Sequence, residues 1–322
     1  MNSSVTMQLH VENHLTERHR LGYGSPATGY APRSFARYVD GLAPEGPLTV
    51  EVMAAWARRA KTNADDPATW ARRLKRLRLF ARWLQQFDPR TEVPDDTVFG
   101  RVGQRLAPHI YSEQEIVDLL AAARRLGPIP RGATYEALFG LLAATGLRVS
   151  EAVHLMDADV DLKSGILTVR QTKFAKSRQV PLHPSTVEVL QQYRELRNPH
   201  ITVTDETPFF ISTRGQRRGC ALGLRQVHRI FQQLRDQLGW VNRGAHANPR
   251  IHDLRHTFIV RRVLLWHAQG VDIDQAMLSL STYVGHAMVT NTYWYLTGVP
   301  ELMALAAGQF EPLLPDAEVY HA

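Results

Sequence analysis

The sequence predicts a mainly α-helical chain of two domains: a helical N-terminal domain, then a mixed α/β domain whose helices are interrupted by a small antiparallel three-stranded sheet. Three observations predict this. The length of 322 residues exceeds the usual domain of about 100 to 200 residues. Apolar residues recur at helical spacing over most of the chain, whereas short strand-like runs occur only between residues 160 and 182. Residues 88–108, DPRTEVPDDTVFGRVGQRLAP, mix prolines, glycines and acids without sustained periodicity, so a linker belongs there, with the boundary near residue 106.

Residues 1–30 are polar, with Gly22, Gly24, Pro26 and Gly29 crowded near their end, and read as a flexible, loosely ordered arm. Residues 31–105 form the first folded domain. In it the stretch WARRLKRLRLFARWL (70–84) sets Trp70, Leu74, Leu77, Phe80 or Ala81, and Leu84 at helical spacing, while Arg72, Arg73, Lys75, Arg76, Arg78 and Arg82 fall mainly elsewhere around the helix. A charge run is usually a solvated face. Six positive charges without one acid point instead to phosphate contacts, with Arg72, Arg73, Lys75 and Arg76 as candidate DNA-binding residues, joined by Lys176 further along the chain.

Residues 106–322 make the second domain. Ser112 and Glu115 form a capping-box pattern ahead of the helix IVDLLAAARRL, which ends in GPIPRG. YEALFGLLAATG is an apolar helix stopped by Gly146, and LRVSEAVHL follows as a turn and short helix. Strands are predicted over 160–162, 166–171 and 177–182, joined by a KSG turn and by TKFAK. Ser185 and Glu188 make a second capping-box pattern before VLQQYREL, and LRQVHRIFQQLRDQLGW and LRHTFIVRRVLLW are again helical. Near the end, GVPELMALAAGQF starts a helix with Pro300 and Glu301 in its first turn and Leu302, Met303, Leu305 and Ala306 apolar. So short a helix does not persist alone and is expected to dock on a neighbouring protomer.

Lys plus Arg number 38 against 31 for Asp plus Glu, a net charge of +7 that favours a polyanionic partner, nucleic acid first. The only lysines are Lys61, Lys75, Lys163, Lys173 and Lys176, so the charge is mostly arginine, which suits bidentate phosphate contacts; a GC-rich genome would give the same bias. Cys220 is the single cysteine, which excludes an internal disulfide framework and any multi-cysteine zinc site. The N-terminus lacks a signal-peptide core and no apolar run approaches the roughly 18 residues of a membrane span, so a cytoplasmic protein is expected.

Five features could carry chemistry: Arg148 after TGL, the lysines at 173 and 176, HDLRH at 252–256, His286, and the pair Tyr293 and Tyr295. His252 and Arg255, three apart on a predicted helix, can converge on one anion. His252 and His256 mimic a zinc-binding H-E-x-x-H pattern with Asp253 in place of its glutamate. Arg255 adds positive charge there and no third ligand is evident, so neither a metal nor a cofactor is expected. Arg148 could merely pair with Glu151 across one helical turn.

Taken in order, TGLRVSE, TKFAKSRQVPL, HDLRHTF and GHAMVTNTYWY resemble the tyrosine recombinase (phage integrase) family over roughly residues 106 to 310. The resemblance implies catalytic roles for Arg148, Lys173, His252, Arg255, His286 and Tyr295. Tyr295 lies nine residues after His286, as the family's nucleophile does; Tyr293 lies seven after it and is expected to pack. Tyr283 precedes His286, which the pattern does not allow, and Trp294 reads as a core anchor. The resemblance further implies a helical core-binding domain at the N-terminus, double-stranded DNA sites as partners, a homotetramer with a dimer on each site, a possible accessory directionality factor, and a bacterial mobile element acting at the nucleoid.

The chemistry fits this inventory. A phosphodiester is anionic, so an enzyme using no metal supplies its own cations to the non-bridging oxygens, here Arg148 and Arg255. Tyrosine titrates near pH 10 and needs a base, for which His252 is the candidate. Lys173, with Lys176 as rival, would protonate the leaving 5′ oxygen, and His286 would hold the phosphate for in-line attack. The rival readings are a type IB topoisomerase or telomere resolvase with the same chemistry, or a DNA-binding regulator without catalysis. Two intervals depart from the family pattern: residues 253–285 are longer than in compact members, and Val284 stands where leucine is common.

Overall fold

A computed structural model describes residues 6–23, 26–42, 46–60, 65–101, 103, 105–170, 177–213, 215–299 and 302–303. The chain divides into two compact units, 1–104 and 105–322.

The first unit contains α1 (Met7–Arg20), α2 (Pro26–Leu42), α3 (Val50–Arg58) and α4 (Pro67–Leu84). Most of the expected arm is therefore helix. Thr6 caps α1, and Val11 and His14 are buried in the core beside Phe80. The imidazole of His14 lies 5.3 Å from the Trp83 ring, whose indole N–H donates to the Glu17 carboxylate at 2.6 Å. A narrow apolar stripe in a polar run was enough to bury this helix, and the run's overall polarity concealed it.

α4 follows the predicted periodicity. The Asp66 carboxylate accepts from the amides of Ala68 and Thr69, and Pro67 occupies the first turn, where its missing N–H costs nothing. Leu74, Leu77, Phe80, Ala81 and Leu84 are buried against Phe35, Met53 and Trp56.

In the second unit α5 (Glu113–Arg124) has its Ser112–Glu115 capping box formed, and α6 (Ile129–Thr145) ends at Gly146 in the left-handed region. The segment GPIPRG, read only as the end of the preceding helix, also opens α6, because a proline is tolerated in a first turn. α7 (Val149–Val153) precedes β1 (Val160–Asp161), β2 (Ile166–Val169) and β3 (Arg178–Pro181). These pair antiparallel in the order β1-β2-β3, with Leu167 opposite Val180, both buried. α8 (Pro184–Arg197) is capped by His183, whose ring nitrogen accepts from the Ser185 amide, so the expected Ser185–Glu188 box does not form.

α9 (Leu224–Leu238), α10 (Asp253–Ala268), α11 (Ile273–Val284) and α12 (Thr290–Gly298) complete the unit. α11, capped by Asp272, accounts for the long interval before His286. One core packs α5, α6, α8 and α9 over the sheet, centred on Phe139, Phe209, Phe210 and Phe231. A second joins α10, α11 and α12 through Phe258, Met277, Val284 and Tyr295. Leu302 is buried against this second core; Pro300, Glu301, Leu305 and Ala306 lie outside the described residues, as do Lys173 and Lys176. Among the described residues no helix is long and apolar enough to cross a membrane.

Candidate active site

Two glycines at helix ends set the site. Gly146 and Gly285 terminate α6 and α11 at φ +63° and +73°, a region L side chains seldom occupy, and each turns the chain into a site residue, Arg148 or His286. Both positions are also crowded. A Cβ on Gly146 would lie 2.6 Å from the Phe258 ring, and one on Gly285 would lie 2.5 Å from the Arg178 guanidinium.

Arg148 is held at both ends of its guanidinium, by the Glu151 carboxylate at 2.7 Å and by the Gly285 carbonyl at 2.7 Å. The pairing with Glu151 is thus real, but Glu151 is no surface partner. It is buried and takes two further bonds from Arg178, at 3.1 and 2.8 Å, while Arg178 also donates to the Tyr283 carbonyl at 2.8 Å. Burial works to raise the Glu151 carboxyl, but the Arg178 and Arg148 guanidiniums hold it below the usual carboxylate range. One carboxylate therefore ties α7 and β3 to the turn before His286.

Arg255, on the first turns of α10, is 2% exposed and donates one bond, to the Gly146 carbonyl at 2.7 Å. Its Nη2 is buried without a hydrogen-bond partner among the described residues. Burial, then the Arg148 charge, lowers its pKa to about 9, which leaves it charged at neutral pH.

His286 meets the Thr292 hydroxyl through Nδ1 at 2.7 Å, and its ring lies nearly parallel to Tyr295 with centroids 6.4 Å apart. Burial and the Arg255 and Arg148 charges lower it to about 3, so it is neutral. His252 reaches solvent at its edge, yet dense surroundings and the Arg255 charge lower it as well, to about 4. Asp253 is turned away, bonded to the Arg250 amide and guanidinium.

Tyr295 is completely buried, and burial pushes its phenol up to about 12 against the opposing pull of Arg255 and Arg105. Its hydroxyl lies 2.6 Å from His256 Nδ1. The Arg105 guanidinium sits 4.2 Å from the Trp294 ring centre and 5.8 Å from that of Tyr295. Tyr293 instead turns its hydroxyl outward to Asp274, 3.3 Å from the carboxylate, and Tyr283 stacks on Phe258 with its hydroxyl on the Pro181 carbonyl.

Of the residues the sequence singled out, the structure thus gathers Arg148, His252, Arg255, His286 and Tyr295. Sequence reasoning passed over Arg178 and Thr292, read Glu151 only as a surface partner of Arg148, and read His256 only as half of a zinc-like pattern. Glu151 had a visible signal in its spacing from Arg148, and His256 in its spacing from His252; Arg178 and Thr292 had none.

In the first unit Arg72, Arg73 and Arg76 line one surface hollow with Arg37, Arg59 and Tyr38. They are not equivalent. Arg72 is exposed and bonded to Asp66, Lys75 and Arg76 are exposed, and Arg73 is half-buried over the Trp56 ring at 4.1 Å, donating to the Trp56 carbonyl. Arg78 is taken up by Asp96 and the Pro94 carbonyl.

A helical unit with one small antiparallel sheet, its arginines turned inward around a buried tyrosine, defines a tyrosine-type recombinase. Residues 110–298 match the phage integrase family. The chain is 37% identical over 314 residues to the putative integrase/recombinase y4rB of Sinorhizobium fredii (strain NBRC 101917 / NGR234), covering 95% of this chain and 97% of that one. It is 30% identical over 242 residues to the tyrosine recombinase XerC of Pelotomaculum thermopropionicum, covering 72% and 71%. In fold it is similar to the Tn1549 transposon integrase in complex with transposon right end DNA, with a TM-score of 0.64 at 16% identity over 94% of this chain and 99% of that one. A lambda integrase tetramer bound to a Holliday junction gives 0.61 at 19% identity over 90% and 80%. The chain belongs to the phage integrase family and is a tyrosine-type site-specific recombinase.

Proposed function

We propose that this recombinase cuts and rejoins duplex DNA through a 3′-phosphotyrosyl bond to Tyr295, exchanging strands by way of a Holliday junction to integrate and excise a mobile element. The observation that carries this reading is that Nη2 of Arg255 has no hydrogen-bond partner among the described residues. A buried charged donor left without an acceptor is costly, and an anion in the pocket removes the cost. Arg148 and Arg255 would then bind the non-bridging oxygens as charge develops on them, with no metal in the step. His286, neutral and fixed by Thr292, would donate to the same phosphate, with His252, which also acts on His286, beside it. Lys173, with Lys176 as the alternative, would protonate the leaving 5′ oxygen.

The bond energy stays in the phosphotyrosyl link, so a 5′-hydroxyl from another strand reverses the step without ATP. The hollow lined by Arg37, Arg59, Arg72 and Arg76 would contact the phosphate backbone and hold the duplex in register. Four protomers, two to a site, would complete the exchange, with an accessory factor setting its direction and the terminal helix docking on a neighbouring protomer.

The test is covalent trapping on nicked duplex carrying the ends of the encoding element. Wild type should form a 3′-linked adduct that Tyr295→Phe abolishes and Tyr293→Phe retains; an adduct surviving in Tyr295→Phe overturns the choice of nucleophile, and bound DNA with no adduct in wild type overturns the catalytic reading.

A further inference from the structure

We propose that His256 is the base that takes the proton of Tyr295 as its oxygen attacks, an inference that rests on the reading of Tyr295 as nucleophile. The phenol's only hydrogen bond among the described residues is the 2.6 Å contact to His256 Nδ1. No contact joins His252 to that hydroxyl; its ring stands edge-on to His256 at 4.8 Å, one helical turn away on α10. The contact is built into the fold. Both residues are buried, at 4% and 0% exposure, and the Trp294 ring lies 6.4 Å from the imidazole.

The step balances without another reactant. As the Tyr295 oxygen bonds to phosphorus, its O–H bond breaks and the proton passes to Nδ1. The 5′ oxygen leaves with the electron pair of the P–O bond and takes a proton from the lysine proposed above, Lys173 or Lys176, and religation returns the proton from Nδ1 to the phenol.

The groups facing the imidazole are His252, Arg105, Arg250, Arg255 and the phenol itself. Burial, then His252 and the three guanidiniums, lowers His256 to about 2, while burial holds Tyr295 near 12. Transfer is therefore steeply unfavourable in the free protein. A phosphate seated on Arg255 offsets the cations that oppose the imidazolium, and the phenol gives up its proton only as its oxygen bonds to phosphorus, so no free phenolate has to form first.

His256→Asn separates docking from proton transfer, because an amide oxygen can accept the phenol's hydrogen bond but cannot take its proton. On nicked duplex carrying the element's ends, this variant should bind as wild type does and cleave about 100-fold or more slowly at neutral pH. Its rate should climb with pH while that of wild type stays level from pH 6 to 9. Wild-type rate and pH profile in His256→Asn would overturn the proposal, as would a rising profile found in His252→Asn alone. In the DNA-free protein, 15N-histidine NMR should show one imidazole whose unprotonated Nδ1 signal moves in Tyr295→Phe; no movement would refute the contact. If wild type forms no adduct, the recombination chemistry and the base both fall, while the NMR result still decides whether His256 holds the phenol.

Discussion

The arginines of the proposed catalytic pocket and those of α4 place the same charge in opposite circumstances. Arg148 and Arg255 are aimed by carbonyls and a buried carboxylate, so each guanidinium is fixed before any anion arrives. Arg76 stands in solvent and Arg72 is exposed with only a surface contact to Asp66, so a phosphate there replaces water, counterions or that carboxylate. Preorganised charge accelerates chemistry, because no reorientation is needed at the moment of reaction, whereas solvated charge contributes affinity that salt can erase.

Substitutions in the two regions should separate these roles. The largest effect is expected at the proposed nucleophile: Tyr295→Phe should remove all covalent adduct while Tyr293→Phe, whose hydroxyl faces Asp274, should keep most of it, as read on denaturing gels. Next, Arg255→Ala should slow single-turnover cleavage by about 100- to 1,000-fold with little change in DNA affinity. Equal losses in rate and affinity would place Arg255 among the binding charges instead. Replacing Arg72 and Arg76 by Ala should do the reverse, leaving the cleavage rate at saturating DNA intact and lowering the salt slope of binding by about 1 for each phosphate no longer neutralised. Arg73→Ala should chiefly lower the thermal stability of the first unit, since it covers Trp56.

A smaller change tests the frame that aims Arg148. Gly285→Ala must adopt φ +73° and displace an Arg178 guanidinium fixed by Glu151 and Tyr283, so the second unit should lose about 1 to 2 kcal/mol in thermal unfolding. The mildest effect concerns acid. His256 is neutral when folded, with its pKa far below the unfolded value near 6.5, so its contribution is fully present above that value and is lost as pH falls below it. Stability should drop as pH falls below about 6, with His252 and His286 contributing in the same sense, and His256→Asn should reduce that slope by about 1 kcal/mol per pH unit.

The sequence made the helices of the second unit legible where periodicity and caps agreed, as at Ser112 and Gly146, and placed all three strands because turn residues bracket them. It also picked out five residues that meet in one pocket, since motif order survives folding. It failed where a weak pattern was rescued by packing, as in α1, whose apolar stripe is narrow, and at α8, where His183 took the cap assigned to Ser185. Arg178 could not be found at all. Its importance lies in reaching Glu151 and the Tyr283 carbonyl, 27 and 105 residues away, and no local spacing encodes contacts between distant segments.

The complete burial of Tyr295 has a consequence for the lifetime of its proposed product. A phosphotyrosyl ester can be lost to hydrolysis as well as religated, and an ester lost to water leaves a cut strand with a free 3′-phosphate. An ester formed where bulk solvent has no access would wait for the incoming strand, whose 5′-hydroxyl is delivered by base pairing rather than by diffusion. Occlusion of the phenol would thus act as a fidelity device, deciding not how fast DNA is cut but how seldom the cut is left unrepaired.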